Sequence, residues 1–534
     1  MEGNTAVVTA TFVVYIGVML ALGYIAYKRT TNLSDYILGG RSLGPGTAAL
    51  SAGASDMSGW LLLGLPGYAL SAGYEASWIA MGLLAGTWAN WLIVARRLRV
   101  YSHLASDSLT LPAYFENRFE DNSRLLRVIS AIFILLFFLF YTSSGLVAAG
   151  KLFESTFGFG YSIAVIVGTV AIISYTFFGG FLAVSWTDVI QGLLMAAALI
   201  VVPVMALNIM GGWDAVHGAM EARNPELLNL WTNVEGEPLG FIAIISLLAW
   251  GLGYFGQPHI LARFKAVESD AALPTARRIA VLWSGVCLLA ALVIGWVGIG
   301  YFGEEGLADS ETVFLSLVQA LMHPLVAGIL LAAVLAAIMS TADSQLLVSS
   351  SALAEDFYKA LFRRDATQQE LVWVGRVAVV GIAAIALLLA FNPDSTVLGL
   401  VSYAWAGFGA AFGPAVILSL FWRRMNRFGA LAGIVVGGVT VVLWKQFDSS
   451  GLYEIVPGFI LATIAIVVVT LATPAPSAHV EAQFDDMKSR LLCLGKRCLC
   501  CKPSGARLPS FRPELNGEGS LQLLRTLPPG SAVE

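Results

Sequence analysis

The stretch LGPGTAALSAGASDMSGWLLLGLPGYAL, Leu43 to Leu70, is long and apolar enough to cross a bilayer, yet it carries a carboxylate, Asp56, at its centre. A hydrocarbon core of roughly 30 Å takes about 20 helical residues. A charge at its midplane costs about 2.5–3.5 kcal/mol on insertion scales, so such a group is hydrated, paired or beside a cation. Glycines at 44, 46, 53, 59, 64 and 67 weaken the helix around it. A helix interrupted in lipid frees backbone groups that must be satisfied inside the protein or in a water-lined cavity. Asp56 therefore reads either as a structural carboxylate bonded to a neighbouring helix or as the charge that makes a cation site.

The rest of the chain is of the same character. Its 534 residues are 57% hydrophobic and only 12% charged, with a mean hydropathy of +0.76. A soluble globule of this size is excluded, and the chain reads as an all-α polytopic membrane protein. About thirteen stretches are long enough to span, near 6–27, 43–70, 77–95, 126–149, 161–179, 187–210, 240–258, 279–302, 325–353, 371–391, 396–421, 428–444 and 454–473. The first lacks a basic leader and a small-residue cleavage pattern, so it is expected to be retained.

Lys and Arg fall on alternate loops: Lys28, Arg29 and Arg41; Arg96, Arg97, Arg99, Arg118, Arg124 and Arg127; Arg263, Lys265, Arg277 and Arg278; Lys359, Arg363 and Arg364; Arg423, Arg424 and Arg427. The intervening loops hold Lys151, Arg223 and Lys445. Because translocated loops are poor in basic residues, this places the N-terminus outside and the C-terminus in the cytoplasm. The net charge of −4 adds nothing, since acidic residues hardly affect topology.

One transmembrane domain is expected over 1–473. Within it, FIAIISLLAWGLGYFGQPH, Phe241 to His259, resembles the opening stretch: apolar, but broken by Gly251, Gly253, Gly256 and Pro258. Two interrupted helices five spans apart are what an inverted five-plus-five repeat produces, here about 43–210 and 240–421. For most of the 54 glycines, close helix packing is sufficient explanation.

Two further clusters stand out. In ILLAAVLAAIMSTADSQLLVSSS, Ile329 to Ser351, the oxygens of Ser340, Thr341, Asp343 and Ser344 interrupt a long apolar helix. Hard cations such as Na⁺ take oxygen ligands, although Ser and Thr also bond their own helix backbone. Trp60, Tyr141, Trp250 and Tyr254 flank the interrupted segments or lie mid-span, away from the interfacial belts where membrane aromatics usually collect. A ring-walled pocket with one polar end suits a small amphipathic solute.

From Pro474, polar residues, Pro and Gly return, and 474–534 is expected to be a mobile tail without a domain of its own. Its CLGKRCLCC run, Cys493 to Cys501, is open to three readings: zinc binding, acylation beside Lys496, Arg497 and Lys502, or no role. Cys287 reads as a small buried residue. An enzyme is disfavoured: the membrane core has no HExxH pattern, and the five histidines have no metal-ligand spacing. Nothing in the composition suggests nucleic acid or an obligate protein partner.

GRSLG (Gly40 to Gly44), SAGASDMSGW (Ser51 to Trp60), GGFLAVSWTD (Gly179 to Asp188), WGLGYFGQPHILARF (Trp250 to Phe264), MST (Met339 to Thr341) and SYAWAGFGAAFGP (Ser402 to Pro414) together resemble the sodium:solute symporter family. The resemblance implies thirteen helices with a five-plus-five inverted repeat in a bacterial inner membrane, and Na⁺-driven uptake of L-proline, with Na⁺ as the coupling ion. It implies Na⁺ ligands at the backbone of Ala54, Met57 and Ala337 and the hydroxyls of Ser340 and Thr341, with Asp56 setting the field. The solute wall it implies is Ser58, Gly59 and Trp60, Tyr141, and Trp250, Tyr254 and Pro258. Arg41 and Asp188 are implied in ion coupling, and each equally suits a solvated or capping charge. Asp343, where members of the family differ, reads as a second cation ligand, a release group or a packing residue. The competing readings are a sodium symporter for another small organic solute and a transporter-like membrane sensor.

Overall fold

A computed structural model describes residues 2–27, 37–176, 180–303 and 306–495. Those residues are helical with no strand among them, only isolated bridges at Leu43 with Val267 and Thr232 with Pro238. In chain order the main helices are α1 (Glu2–Tyr27), α2 (Pro45–Asp56), α3 (Leu65–Ala72), α4 (Ser77–Ala89), α5 (Ala95–Leu104), α6 (Leu111–Phe119), α7 (Leu125–Phe157), α8 (Tyr161–Thr176), α9 (Phe181–Met210) and α10 (Trp213–Arg223). They continue with α11 (Phe241–Leu248), α12 (Pro258–Ala266), α13 (Leu273–Phe302), α14 (Val313–Leu321), α15 (Pro324–Ser351), α16 (Gln368–Ala390), α17 (Val397–Phe421), α18 (Arg427–Phe447), α19 (Ile455–Ala472) and α20 (Ala478–Gly495).

Both expected interruptions are present. Pro45, with its preset φ, opens α2, and the helix stops at Asp56, where Met57 turns to φ −86°, ψ 79°. A π turn over Trp60–Gly64 then leads into α3. In the second break α11 tightens into a 3-10 segment, Ala249–Gly256, Gln257 extends, and α12 restarts at Pro258. The two parts of that span are bent by 47°. The breaks are also linked at their ends, because Leu43 N–H donates to Ala266 O (3.1 Å) and Glu268 N–H to Leu43 O (2.9 Å). The start of one broken span is thereby fastened to the finish of the other, as an inverted repeat requires.

Among the described residues, ten helices are long and apolar enough to cross a membrane, or eleven if the bent pair counts as one span. The expected thirteen is not established on that measure, for two reasons. Part of 43–70 and all of 77–95 share the 45-residue run Trp60–Leu104, within which Gly73 (φ 61°, ψ −131°) makes the turn. The helix in 161–179 is short, its apolar part covering only Tyr161–Ser174.

Around the breaks, α2 packs on α9, α12, α13 and α15, and the 3-10 segment packs on α4 and α17. Backbone meets backbone closely there: a Cβ on Gly251 would overlap Gly82 O, and one on Gly86 would overlap Gly251 O. Glycine is required there by contact, not by φ.

The segment expected to be a mobile tail begins instead with α20, part of which is docked. Val480, Phe484 and Met487 are buried. Phe484 lies edge-on to Tyr101 (6.3 Å between centroids), with the Arg118 guanidinium 5.7 Å from its ring. Ser477 donates to Glu120 Oε2 at 2.6 Å, His479 meets Glu120 Oε1 at 2.6 Å, and Arg423 reaches Glu481 (2.9 Å) and Asp485 (3.0 Å). The apolar positions 480, 484 and 487, one helical turn apart, are what the absence of a longer pattern concealed. Cys498, Cys500 and Cys501 lie outside the described residues.

Phe484→Ala is expected to cost about 3 kcal/mol, as for other buried aromatics. Thermal unfolding of the detergent-purified protein checks this; an unchanged midpoint would mean that α20 is not anchored as described.

Candidate functional site

The broken end of α2 gathers most of the sequence-derived residues. Ala54, Asp56 and Met57 are buried, and so are Ser58 and Trp60. Because the helix stops there, carbonyls that would bond within it face outward. Ser340 Oγ donates to Ala54 O at 2.8 Å and approaches Ala337 O at 3.1 Å, and Thr341 Oγ1 donates to Ala54 O at 3.2 Å. Two carbonyls and two hydroxyls from α2 and α15 thus converge, with Met57 in the break beside them. This is a hard-oxygen donor set of the kind Na⁺ takes.

One turn away, three side chains converge on Asp56. Tyr254 Oη donates to Asp56 Oδ2 at 2.6 Å. Tyr141 Oη (3.1 Å) and Trp60 Nε1 (3.0 Å) both donate to the Asp56 carbonyl. Asp56 Oδ1 is buried without a hydrogen-bond partner, an acceptor available to a ligand. The Trp60 and Trp250 rings lie 6.4 Å apart, and Trp250 stacks on Tyr453 at 5.5 Å. Trp250 and Tyr453 also line a cavity of about 740 Å³, together with Gly64, Glu311 and Leu398. Tyr141, Tyr254 and Trp60 do not line it.

Not every residue joins this group. Gly59 sits against Ala148 and Ile338, where a Cβ would be 2.7 Å from Ala148 Cβ. Ser58 Oγ accepts from Trp60 N–H at 3.4 Å. Pro258 opens α12 beyond the break and lines a separate small cavity with Leu109, Lys265 and Asp356. Arg41 is held apart from both groups: it pairs with Asp107 (2.8 Å) and donates to Lys265 O (3.0 Å) and Ser108 O (3.2 Å). Burial lowers the pKa of its guanidinium and Asp107 opposes that shift.

Sequence reasoning missed Arg263. Counted among the loop charges, it is fully buried in α12 and pairs with Asp188 at 3.2 Å. It also donates to Ser51 Oγ (3.1 Å), Ser344 Oγ (2.6 Å) and His259 O (3.0 Å), while Ser51 donates to Asp188 Oδ2 at 2.6 Å. Asp188 is therefore neither solvated nor a cap. Asp343 sits beside this cluster, its Oδ1 3.4 Å from Ser344 Oγ and its Oδ2 unpartnered. Lys265 is also buried rather than in a loop, its ammonium on Leu109 O at 2.6 Å. Lys151 is buried too, paired with Asp309 (2.6 Å) and Glu311 (2.7 Å). The available signal was that Arg263 follows His259 by one turn on the helix restarted at Pro258.

The family model described as the sodium:solute symporter family matches residues 36–437. The sodium/proline symporter of Escherichia coli (strain K12) is 55% identical over 480 residues, which is 89% of this chain and 95% of that protein. The high-affinity proline transporter PutP of Bacillus subtilis (strain 168) is 51% identical over 476 residues, 89% and 100% of the two chains. Among solved structures, a Na⁺-coupled sialic acid symporter in a substrate-bound outward-open state superposes with a TM-score of 0.74 at 20% identity, covering 88% of this chain and 99% of that one. That likeness is one of fold.

Removing one partner of a buried ion pair strands the other, at about 3–5 kcal/mol. Arg263→Gln and Asp188→Asn should each destabilise the purified protein by that order, and the double substitution by less than their sum. Additive losses in thermal or denaturant unfolding would show the pair to be uncoupled.

Proposed function

The chain belongs to the sodium:solute symporter family, and we propose that it is a Na⁺-coupled secondary transporter that imports L-proline by alternating access. The observation that carries the reading is the double use of one broken turn. Ala54 O is held by the α15 hydroxyls, and two residues later Asp56 is held by Tyr254, Tyr141 and Trp60. Relatives named for proline transport, matched over nearly their whole length, support the substrate.

In this reading Na⁺ is held by the backbone oxygens of Ala54, Met57 and Ala337 and the hydroxyls of Ser340 and Thr341. Asp56 supplies the field without needing to ligate. Proline lies against Trp60, Tyr141, Trp250 and Tyr254, with Ser58 and Gly59 shaping the turn and Pro258 lining the path beyond. Its carboxylate is suited to the positive end of a half-helix and its ring to the aromatic faces. Na⁺ ties α2 to α15 and so steadies the turn that bears Asp56 and Trp60, which makes each ligand favour the other. Such reciprocal coupling is typically worth about 1–3 kcal/mol. One charge moving down 100 mV contributes about 2.3 kcal/mol more, enough with a Na⁺ gradient to drive uphill uptake of a zwitterion. Arg41 and the Asp188–Arg263 pair act in coupling and release, and Asp343 is an accessory group beside them.

The protein works as a multi-pass carrier in the bacterial cytoplasmic membrane, with its N-terminus outside and C-terminus inside, and it catalyses no covalent chemistry. The division into a transporter domain over 1–473 and an appended segment over 474–534 belongs to the same proposal, with the first part of α20, through Met487, docked on the former.

Two outcomes test this. Proteoliposomes with an inward Na⁺ gradient should accumulate labelled L-proline, those with equal K⁺ should not, and Asp56→Asn should abolish the difference; equal uptake in K⁺ would remove Na⁺ coupling. Ser340→Ala and Thr341→Ala should raise the Na⁺ concentration for half-maximal uptake about tenfold each, the worth of one hydroxyl contact to a charge, with saturating-Na⁺ rates less affected. A change in proline requirement alone would place these hydroxyls on the solute instead.

A further inference from the structure

The 3-10 segment Ala249–Gly256 frees carbonyls that a helix would have used, and three of these are taken by side-chain amides or an indole. Trp405 Nε1 donates to Trp250 O at 2.6 Å, Asn90 Nδ2 to Tyr254 O at 2.9 Å, and Gln257 Nε2 to Gly253 O at 3.2 Å. Gln257 also donates to Trp405 O at 3.3 Å. Of these groups Trp405, on α17, does most to place the rings. It is 1% exposed, and its ring meets Tyr254 edge-on at 5.0 Å and 90°. Gly253 lets it approach, because a Cβ there would overlap the indole nitrogen.

Trp405 therefore holds two aromatic residues of this broken span, Trp250 through its carbonyl and Tyr254 through its ring. Tyr254 is fixed at its other end by Asp56 Oδ2 at 2.6 Å, and the Trp250 ring is held between Tyr453 and Trp60. With those outer ends anchored, the spacing between the Trp250 and Tyr254 rings is set by the indole between their backbones. We infer that Trp405 is a positioning residue that sets the ring-size selectivity of the solute pocket without itself touching solute. The inference rests on the proline reading given above. The chemical class it governs is the cyclic secondary amino acids, in which the four-membered azetidine-2-carboxylate and six-membered pipecolate differ from proline by one methylene each. A pocket usually separates such neighbours by about 10–200-fold, so a change in wall spacing is readily measured.

The test is Na⁺-driven uptake of labelled L-proline into proteoliposomes, competed with unlabelled proline, azetidine-2-carboxylate and pipecolate. The proteins are wild type, Trp405→Phe and Phe484→Ala. Trp405→Phe keeps a ring but loses the donor to Trp250 O. It should raise the KM for proline about tenfold, the worth of one buried hydrogen bond, and reduce the preference for proline over pipecolate by a similar factor, with Vmax per folded protein nearly kept. Phe484→Ala, distant from the pocket, should reduce only the amount of folded protein and leave the competition ratios unchanged. If Trp405→Phe does not fold, Trp405→His, which retains an N–H donor on a smaller ring, should give ratios that are also shifted towards the larger ring. Unchanged ratios in a folded Trp405 variant, or the same shift in Phe484→Ala, would overturn the inference alone. Wild type without Na⁺-dependent proline uptake would overturn the functional reading and this inference with it.

Discussion

The hydrogen bond from Tyr254 to Asp56 joins two helices at the points where both are broken. In a bilayer a broken helix is tolerated only if its freed polar groups find partners within the protein. Here the freed carbonyls are met by side chains of α15, α7, α17 and the π turn after α4, while the breaks are tied to each other by the Tyr254 hydroxyl on the Asp56 carboxylate and by the Leu43 contact with Ala266 and Glu268. Remove the carboxylate and Tyr254 keeps its ring contact with Trp405 and the Asn90 bond to its carbonyl but loses its tie to the first break. The remaining elements, α9, α13 and α15 around the first break and α4 and α17 around the second, exclude lipid from this junction.

The two breaks dispose of their carbonyls differently. At the first, Ala54 O meets the Ser340 and Thr341 hydroxyls, whose hydrogens rotate freely and whose oxygens can serve as ligands once turned. At the second, the carbonyls of Trp250, Gly253 and Tyr254 are held by an indole and two carboxamides, whose N–H groups cannot become ligands. The chemistry of the donors thus gives one break an ion-exchangeable character and the other a fixed one. That division suits a carrier in which a cation is admitted at the first break and a solute is sized at the second.

Much of this was legible in the sequence because interruptions in apolar helices are visible along one dimension. Asp56 among glycines, the Ser340–Thr341 pair and the glycines at 251, 253 and 256 are all local departures from a spanning pattern. Arg263 was not legible, because a basic residue near a span end reads as a loop charge until its partner, Asp188, is known to lie 75 positions away. The same holds for Lys151 with Glu311. The count of thirteen spans is not established by length alone, since the runs on either side of Gly73 are continuous and the helix at Tyr161–Ser174 is short. Docking of α20 was hidden because its apolar positions are few and their counterparts, Tyr101 and Arg118, belong to distant helices.

That docking bears on how the molecule is made. His479 meets Glu120 across 359 positions of chain. At synthesis rates of about 5–20 residues per second, the segment around Glu120 exists for roughly 20–70 s before its partner is polymerised. During that interval the surface that will receive Phe484, around Tyr101 and Arg118, is without its cover. The order of assembly is therefore written into the fold: the membrane helices are laid down first, and the closing contact is made by residues polymerised after all of them. A chain cut short before Ala478 would present that unfinished surface permanently, a mark by which quality-control proteases could tell incomplete carriers from finished ones.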